Sequence, residues 1–309
     1  MKHGVLAMIL ALVLSSCNTH KEPEETTRKG TLKVLASEPL LVVAARGAEL
    51  YQRLYPEAVI MVEGVSTRQA IVEMANGTVR SIIIDRRMNE EERKFIAQSE
   101  PPVLLGILGF DAFAVIVNLQ NGMRRTSLDQ CRDMFTGVIT DWRAISGSRL
   151  TGPIETSTTG ANTGLYDHLQ QEYFSSVGAL PLKAPMGIQL DVMRYVAAQQ
   201  NAIGIVSNAF LKDTTQNKVQ GLRQYVRVLD FTTVDSQKVV QNVRLTQETV
   251  YDARYPFRYT LYIYTRERRS AVATGFADFM LKFNGQKILQ DAGLVPREIP
   301  KREVLLISE

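Results

Sequence analysis

The chain has 309 residues, 45% of them hydrophobic and 22% charged, which is ordinary for a globular protein and leaves room for one large core or two modest ones. Its net charge of +4 comes without any dense run of Lys and Arg, so it fits a mild attraction for small anions and gives no footprint for nucleic acid. Of two cysteines only Cys131 falls in the folded part, which excludes a disulfide between folded-domain thiols.

The leader MKHGVLAMILALVLSSC begins with Lys2 and His3, runs apolar from Val5 to Leu14, and places small residues just before Cys17. A span needs ~20 apolar residues, so this shorter run reads as a secretory signal. Leu14-Ser15-Ser16-Cys17 resembles the lipobox of bacterial lipoproteins, in which the cysteine becomes the lipidated first residue after cleavage. A plain signal peptide cut nearby is the alternative. Residues 18–30, NTHKEPEETTRKG, have no apolar period and read as a disordered tether.

From Thr31 strands and helices alternate. TLKVLAS is a strand, and SEPLLVVAARGAELYQRLYP a helix with Ser37 as candidate cap and Pro39 near its first turn. AVIMVEG is a strand and STRQAIVEMANG a helix begun by Ser66 and closed by Gly77. After the strand SIIID, Asn89 caps NEEERKFIAQS, whose three leading glutamates suit a helix N-terminus. Such units imply a largely parallel sheet covered on both faces. GILGFDAFAVIVN is a long apolar strand suited to passing from one sheet to another. SLDQCRDMFTG, GLYDHLQQEYF and QLDVMRYVAAQQ then read as helices, and PIETS, AIGIVS and VRVLDF as strands. YTLYIYTR is a second long strand before the helices SAVATGFADFMLKF and NGQKILQDAG. Two long strands bracketing a middle block suggest a second lobe inserted into the first.

Catalysis finds little support. His3 and His20 precede the folded part, leaving His168 without neighbouring metal-type ligands or a G-x-S-x-G elbow, and it reads as a surface or lobe-interface residue. Cys131 reads as a core thiol. Three loops each follow a strand and lead into a helix, where an open parallel sheet binds ligands: Ala36-Ser37-Glu38-Pro39, Gly64-Val65-Ser66-Thr67-Arg68, and Thr158-Thr159-Gly160-Ala161-Asn162-Thr163. Helix N-termini offer unpaired N–H groups, and clustered hydroxyls there would complete an oxyanion site. Taken singly, Ser37, Ser66 and Thr163 read equally well as helix caps.

The stretch FDAFAVIVNLQNGMRRTSLDQCRDMFTGVITDWRAI resembles the phosphate-binding lipoproteins of bacterial ABC uptake systems, within the type II periplasmic binding proteins. That family writes it as D-x-[IFL]-A-[VI]-[IV]-V-N followed by L-x-x-[IL]-F-x-G-x-[IV]-x-x-W. AQQNAIGIVSNAFL, YPFRYTLYIYTR and GFADFMLKFNGQKILQDAGLVP follow the same family order, and the likeness covers nearly all of residues 31–297. It implies an α/β fold of two lobes with mostly parallel sheets flanked by helices and two crossover strands, lobe I being 31–112 and 260–309 and lobe II 113–259. It also implies that Phe135, Gly137 and Trp142 are structural.

The ligand loops match less closely. A usual G-S-[TS]-x is here Ala36-Ser37-Glu38-Pro39, which adds a carboxylate that would repel an anion unless it points outward. The second loop keeps Ser66 and Thr67, and the third offers Asp85, an acceptor for the proton of a monoprotonated phosphate. The pattern R-x-x-[GS]-S-G-T falls on 157–163, with Ser157, Ala161 and Asn162 replacing arginine, serine and glycine. Losing that charge-assisted bond should cost ~1.5–3 kcal/mol unless Arg68, Arg86 or Arg87 compensates. The resemblance thus implies a lipid-anchored extracytoplasmic receptor, monomeric and without cofactor, metal or catalytic residue. It would hold phosphate or a related oxyanion through Ser37, Ser66, Thr67, Asp85, Thr159, Gly160, Asn162 and Thr163 and deliver it to an ABC permease. The rival expectation is a lipoprotein of the same fold with lost or altered phosphate binding, serving a sensory or surface interaction role.

Overall fold

The computed structural model describes residues 25–98, 101–146, 148–175, 178–213, 215, 217–234 and 238–299. The signal and lipobox, with Cys17, lie outside the described residues.

In chain order, β1 (Gly30–Ser37), α1 (Leu41–Leu54), β2 (Ala58–Val65), α2 (Thr67–Ala75), β3 (Ser81–Ile84) and α3 (Glu90–Ala97) build the first lobe. The long β4 (Val103–Asn118) leads out of it. Then come β5 (Arg125–Thr126), α4 (Leu128–Phe135), β6 (Glu155–Thr159), the short α5 (Gly164–Asp167), β7 (Ala184–Met186), α6 (Gln189–Ala198) and β8 (Ala202–Ser207). After β9 (Val226–Val228), β10 (Asp230–Val234) and β11 (Val240–Val243), the chain returns through β12 (Arg258–Arg266) to β13 (Val295–Pro296).

One curled sheet runs β2-β1-β3-β12-β4-β8-β6-β7, with β9 and β13 also pairing with β4. Pairing is parallel at β2-β1-β3 and at β8-β6-β7, where α1, α2 and α6 provide the long crossovers that parallel strands require. Antiparallel pairs join the two halves, because β4 runs through both: residues 103–112 pair with β12 and residues 113–117 with β8. The chain crosses between lobes twice, within β4 and at Phe257–Arg258 just ahead of β12, where the Phe113 amide donates to the Phe257 carbonyl at 3.0 Å. This is the type II periplasmic-binding-protein fold.

The local signals explain most elements. Ser66 accepts from the Gln69 amide, and Asn89 forms a reciprocal capping box with Glu92. Gly77, at φ +77°, ends α2 in the left-handed region. One helix and one strand differ from the sequence reading. GLYDHLQQEYF is α-helical only over Gly164–Asp167 and widens to a π-helix over His168–Tyr173. VRVLDF breaks at Leu229, whose amide is drawn to the Val115 carbonyl at 2.9 Å.

The lobes share one core at the crossing. Phe113 stacks on Tyr259 at 4.1 Å, and Tyr173, Phe231 and Phe257 extend the aromatic cluster. Asp111 is buried there and accepts from Tyr259 Oη at 2.8 Å, the Ala209 amide at 3.1 Å and Asn208 Nδ2 at 3.2 Å. Burial pushes its pKa up to about 6 against those bonds. Trp142 is buried with Nε1 donating to the Asn201 carbonyl at 2.9 Å. Cys131 is buried beside Thr126, and desolvation pushes its thiol up to about 12, as a core thiol requires.

The end of the expected tether is built into lobe I. Glu25 pairs with Arg80 at 2.6 Å, the Thr27 carbonyl accepts from Tyr51 Oη, and Arg28 lies over the Tyr55 ring. A polar composition hid this docking because it rests on single ion-pair and carbonyl contacts with no apolar period.

Candidate functional site

The starts of α2 and α5 face each other across the gap between lobes. Thr67 Oγ1 donates to Asp85 Oδ1 at 2.6 Å and accepts from the Gly164 amide at 3.1 Å, so one hydroxyl ties the end of β3 to the start of α5. A Cβ at Gly164 would fall 2.3 Å from Asp85 Oδ1, a distance no side chain tolerates, so only glycine lets the two walls approach. Thr163 caps α5 by accepting from the Tyr166 amide and shares a 2.8 Å hydrogen bond with Thr159. The Arg68 amide donates to the Asn162 carbonyl at 3.2 Å.

Thr67, Asp85, Thr159 and Thr163 border a cavity of about 300 Å3. Its polar lining is Glu38, Ser66, Thr67, Asp85, Thr159, Thr163 and Gln189, and its apolar walls are Pro39, Leu41, Val65, Leu165 and Ile188. Of the sequence-expected site residues, Ser66, Thr67, Asp85, Thr159 and Thr163 converge on this cavity. Asn162 and Ala161 instead line an outer groove with Arg68, and Gly160, whose amide donates to the Met186 carbonyl, does not border the cavity. Ser37 also misses it. The residue precedes a 3-10 turn, Glu38–Leu40, and its buried Oγ caps nothing and has no hydrogen-bond partner among the described residues.

Glu38 turns inward, against the expectation that it would have to point away. Its carboxylate accepts from the Gln189 amide, with Oε1 at 3.1 Å and Oε2 at 3.4 Å. Sequence reading missed Gln189 and its neighbours. The signal was present in Gly187-Ile188-Gln189, a turn after β7 opening α6 with no side-chain cap, which leaves an amide for another group to take. Gln189 itself is anchored by accepting from the Ser207 amide at 2.6 Å. Burial, followed by the negative field of Asp85 and Asp191, raises Glu38 to about 7, although the Gln189 amide opposes the shift.

None of the three arginines considered as compensation enters the cavity. Arg68 and Arg87 are exposed. Arg86 is buried and clamps the lobes from outside: its NH groups donate to both Glu92 oxygens at 2.7 and 2.8 Å, and Nε lies 2.7 Å from Asp167 Oδ2 at ion-pair range without hydrogen-bond alignment. Burial works against the Arg86 charge, yet Glu92 and Asp167 hold its pKa raised.

His168 is a lobe-interface residue and not a surface one. Nε2 lies 2.8 Å from the Asp85 carbonyl, which can only accept, and Nδ1 lies 2.7 Å from Glu172 Oε2. Burial is the largest single influence and opposes protonation of the ring, but the hydrogen bond and charge of Glu172 together with Asp85 outweigh it and the pKa is raised. The π-helix thus reaches across to fix the backbone of Asp85. Among the described residues no group of three or more His, Cys, Asp or Glu is placed to hold a metal ion, and no helix is long and apolar enough to cross a membrane.

A two-lobed fold with a polar cavity at the join defines a solute-binding architecture, and the chain belongs to the PBP superfamily, whose domain model matches residues 21–282. It is similar to the phosphate-binding protein PstS of Staphylococcus saprophyticus, 22% identical over 305 residues, which are 97% of this chain and 90% of that protein. Similarity to the PstS of Bacillus subtilis is 22% over 287 residues, 90% of this chain and 85% of that one. A solved structure with bound phosphate from Clostridium perfringens, described as a phosphate ABC transporter substrate-binding protein, matches with a TM-score of 0.70 at 20% identity over 87% of this chain and 100% of that one. An ABC-type phosphate transport receptor from Vibrio cholerae gives 0.65 at 17% identity, over 86% and 100%. At these identities the solved structures establish a shared fold.

Proposed function

We propose that this protein is an extracytoplasmic receptor that captures phosphate or a related oxyanion and hands it to an ABC importer, held to the membrane through a lipid on Cys17. The observation that carries the reading is the cavity between the lobes, where hydroxyls from Ser66, Thr67, Thr159 and Thr163 gather with Asp85 at the starts of α2 and α5. Relatives named for phosphate binding support it.

In this reading affinity comes from neutral donors: the hydroxyls and helix-terminal amides meet the anion, and Asp85 accepts the proton of a monoprotonated ligand. Binding is the task, with no catalytic residue. The lobes close by hinge motion at the two crossings, since a ligand in this cavity touches both at once.

Titration calorimetry of the full-length chain in detergent with phosphate, arsenate and sulfate tests the reading. Saturable heat with phosphate at micromolar to millimolar concentration is the expected result. No heat with any oxyanion at pH 6 or pH 8 overturns it and leaves the rival sensory or surface role. For the anchor, Cys17→Ala should move the protein from the membrane fraction to the soluble fraction, and unchanged fractionation would remove the lipid from the proposal.

A further inference from the structure

A carboxylate sits where an anion receptor would be expected to offer only donors. Glu38 belongs to the turn after β1, and its side chain crosses to lobe II to occupy the first amide of α6, a helix of ten residues with no side-chain cap of its own. The same carboxylate lines the cavity that Asp85 lines from the end of β3. Two acceptors therefore face one small space, and none of the residues lining that space is cationic.

The surroundings give Glu38 no charge compensation. Asp85 and Asp191 add negative potential, and among the described residues Glu38 has no ion-pair partner. On its other side it borders a small groove with Arg46, Lys212, Asp213 and Asp291, and among the described residues neither cation of that groove is ion-paired with Glu38. The packed neighbours thus leave Gln189, through its backbone amide and its side chain, as the direct donor to this carboxylate.

We propose that Glu38 is a specificity-determining residue that couples oxyanion capture to uptake of a proton: an anion enters the cavity only when Glu38 is neutral or has given up the Gln189 amide. The inference rests on the oxyanion-capture reading and deepens it by naming the ligand class. The cavity favours the more protonated, singly charged form of a phosphate-like anion, which brings hydrogens for the two acceptors, over a doubly charged anion without hydrogens, such as sulfate. When Glu38 is ionised, ligand and carboxylate repel each other and compete for the same amide. A neutral Glu38 reverses the sign of the contact, since its O–H can donate to a ligand oxygen. Its elevated pKa, about 7, places the change in the neutral range.

The test compares the full-length chain with Glu38→Gln, which keeps size and hydrogen bonding but cannot ionise, using inorganic phosphate between pH 6 and pH 8. The free ligand titrates in the same range, so the informative quantity is the difference between the two proteins. One proton linked to Glu38 predicts that the unmodified chain loses about tenfold more affinity than Glu38→Gln over that interval. Calorimetry in buffers of different ionisation enthalpy should also count nearly one more proton taken up by the unmodified chain at pH 8. Tighter binding by Glu38→Gln at pH 8 but not at pH 6 supports the same assignment. Parallel pH profiles, with both proteins folded by circular dichroism, overturn the inference while leaving oxyanion capture standing. Absence of binding by both proteins at either pH removes the capture reading itself. Glu38→Ala serves as a second variant and should also flatten the profile.

Discussion

The lobe I wall of the cleft brings Glu38, Ser66, Thr67 and Asp85, whereas the lobe II wall brings Thr159, Thr163 and the amides of Gly164 and Gln189. Negative charge comes from one side and backbone donors from the other, so each half already complements its opposite. Thr67 holds the Gly164 amide and Glu38 holds the Gln189 amide. A ligand therefore competes with contacts internal to the protein, and its affinity is a difference between two sets of hydrogen bonds, each worth about 1 kcal/mol net. The wall that carries the charges decides which anions win that competition, and the wall of amides decides that anions compete at all.

The largest effect should come from loosening the clamp outside the cavity. Arg86→Ala leaves Glu92 and Asp167 facing each other without their cation and should cost about 3 kcal/mol of unfolding free energy in a urea titration. A loss below ~1 kcal/mol would show the pair to be screened by solvent despite its burial. Gly164→Ala forces a methyl against the Asp85 carboxylate, and overpacking of about 1–3 kcal/mol should appear as one to two decades of phosphate affinity, with unchanged binding meaning that the walls separate freely.

Asp85→Asn keeps an oxygen for Thr67 and removes the charge. Phosphate binding should weaken by ~1.5–3 kcal/mol, about one to two decades, and equal affinities would take Asp85 out of the ligand's reach. Smaller effects are expected for the caps. Thr163→Ala and Ser66→Ala each remove an N-cap worth ~1 kcal/mol of stability and a hydroxyl of the cavity, so a modest fall in both melting temperature and affinity should accompany each. If stability falls in both while binding does not, the hydroxyls serve the helices alone.

Glu38 gives the subtlest signature, in stability and without ligand. Its folded pKa of about 7 lies above its ordinary value of 4.5, so between these values the native state binds more protons than the unfolded state. Glu38 accordingly contributes a loss of stability that grows as pH rises from 4.5 to 7 and is then constant. Glu38→Gln should raise the melting temperature at pH 8 and leave it nearly unchanged at pH 4. A shift of equal size at both values would mean that the carboxylate is not held out of water.

Much of the architecture was legible in the residues. The run FDAFAVIVN could pass between sheets because nearly every residue is apolar and β-prone, and the caps Ser66, Asn89 and Thr163 marked helix starts that rest on local hydrogen bonds. Five of the eight expected ligand residues reached the cavity for the same reason, since helix caps after parallel strands fall at the sheet's carboxyl edge. Ser37 failed because a 3-10 turn stands between it and α1 and directs the cavity-lining role to the next residue. The docking of residues 25–29 and the π-turn at His168 left no periodic trace, each depending on partners more than twenty residues away.

What the sequence determined by itself was the set of elements, their order and the polar loops at their edges, because hydrophobic period, caps and turn residues act within a few positions along the chain. Tertiary structure alone decided that Glu38 points inward to the Gln189 amide, that Arg86 is spent on Glu92 and Asp167, and that Gly164 lets Asp85 come close. Those outcomes depend on distances between lobes and on the dielectric between them, and both are fixed only when the two halves meet.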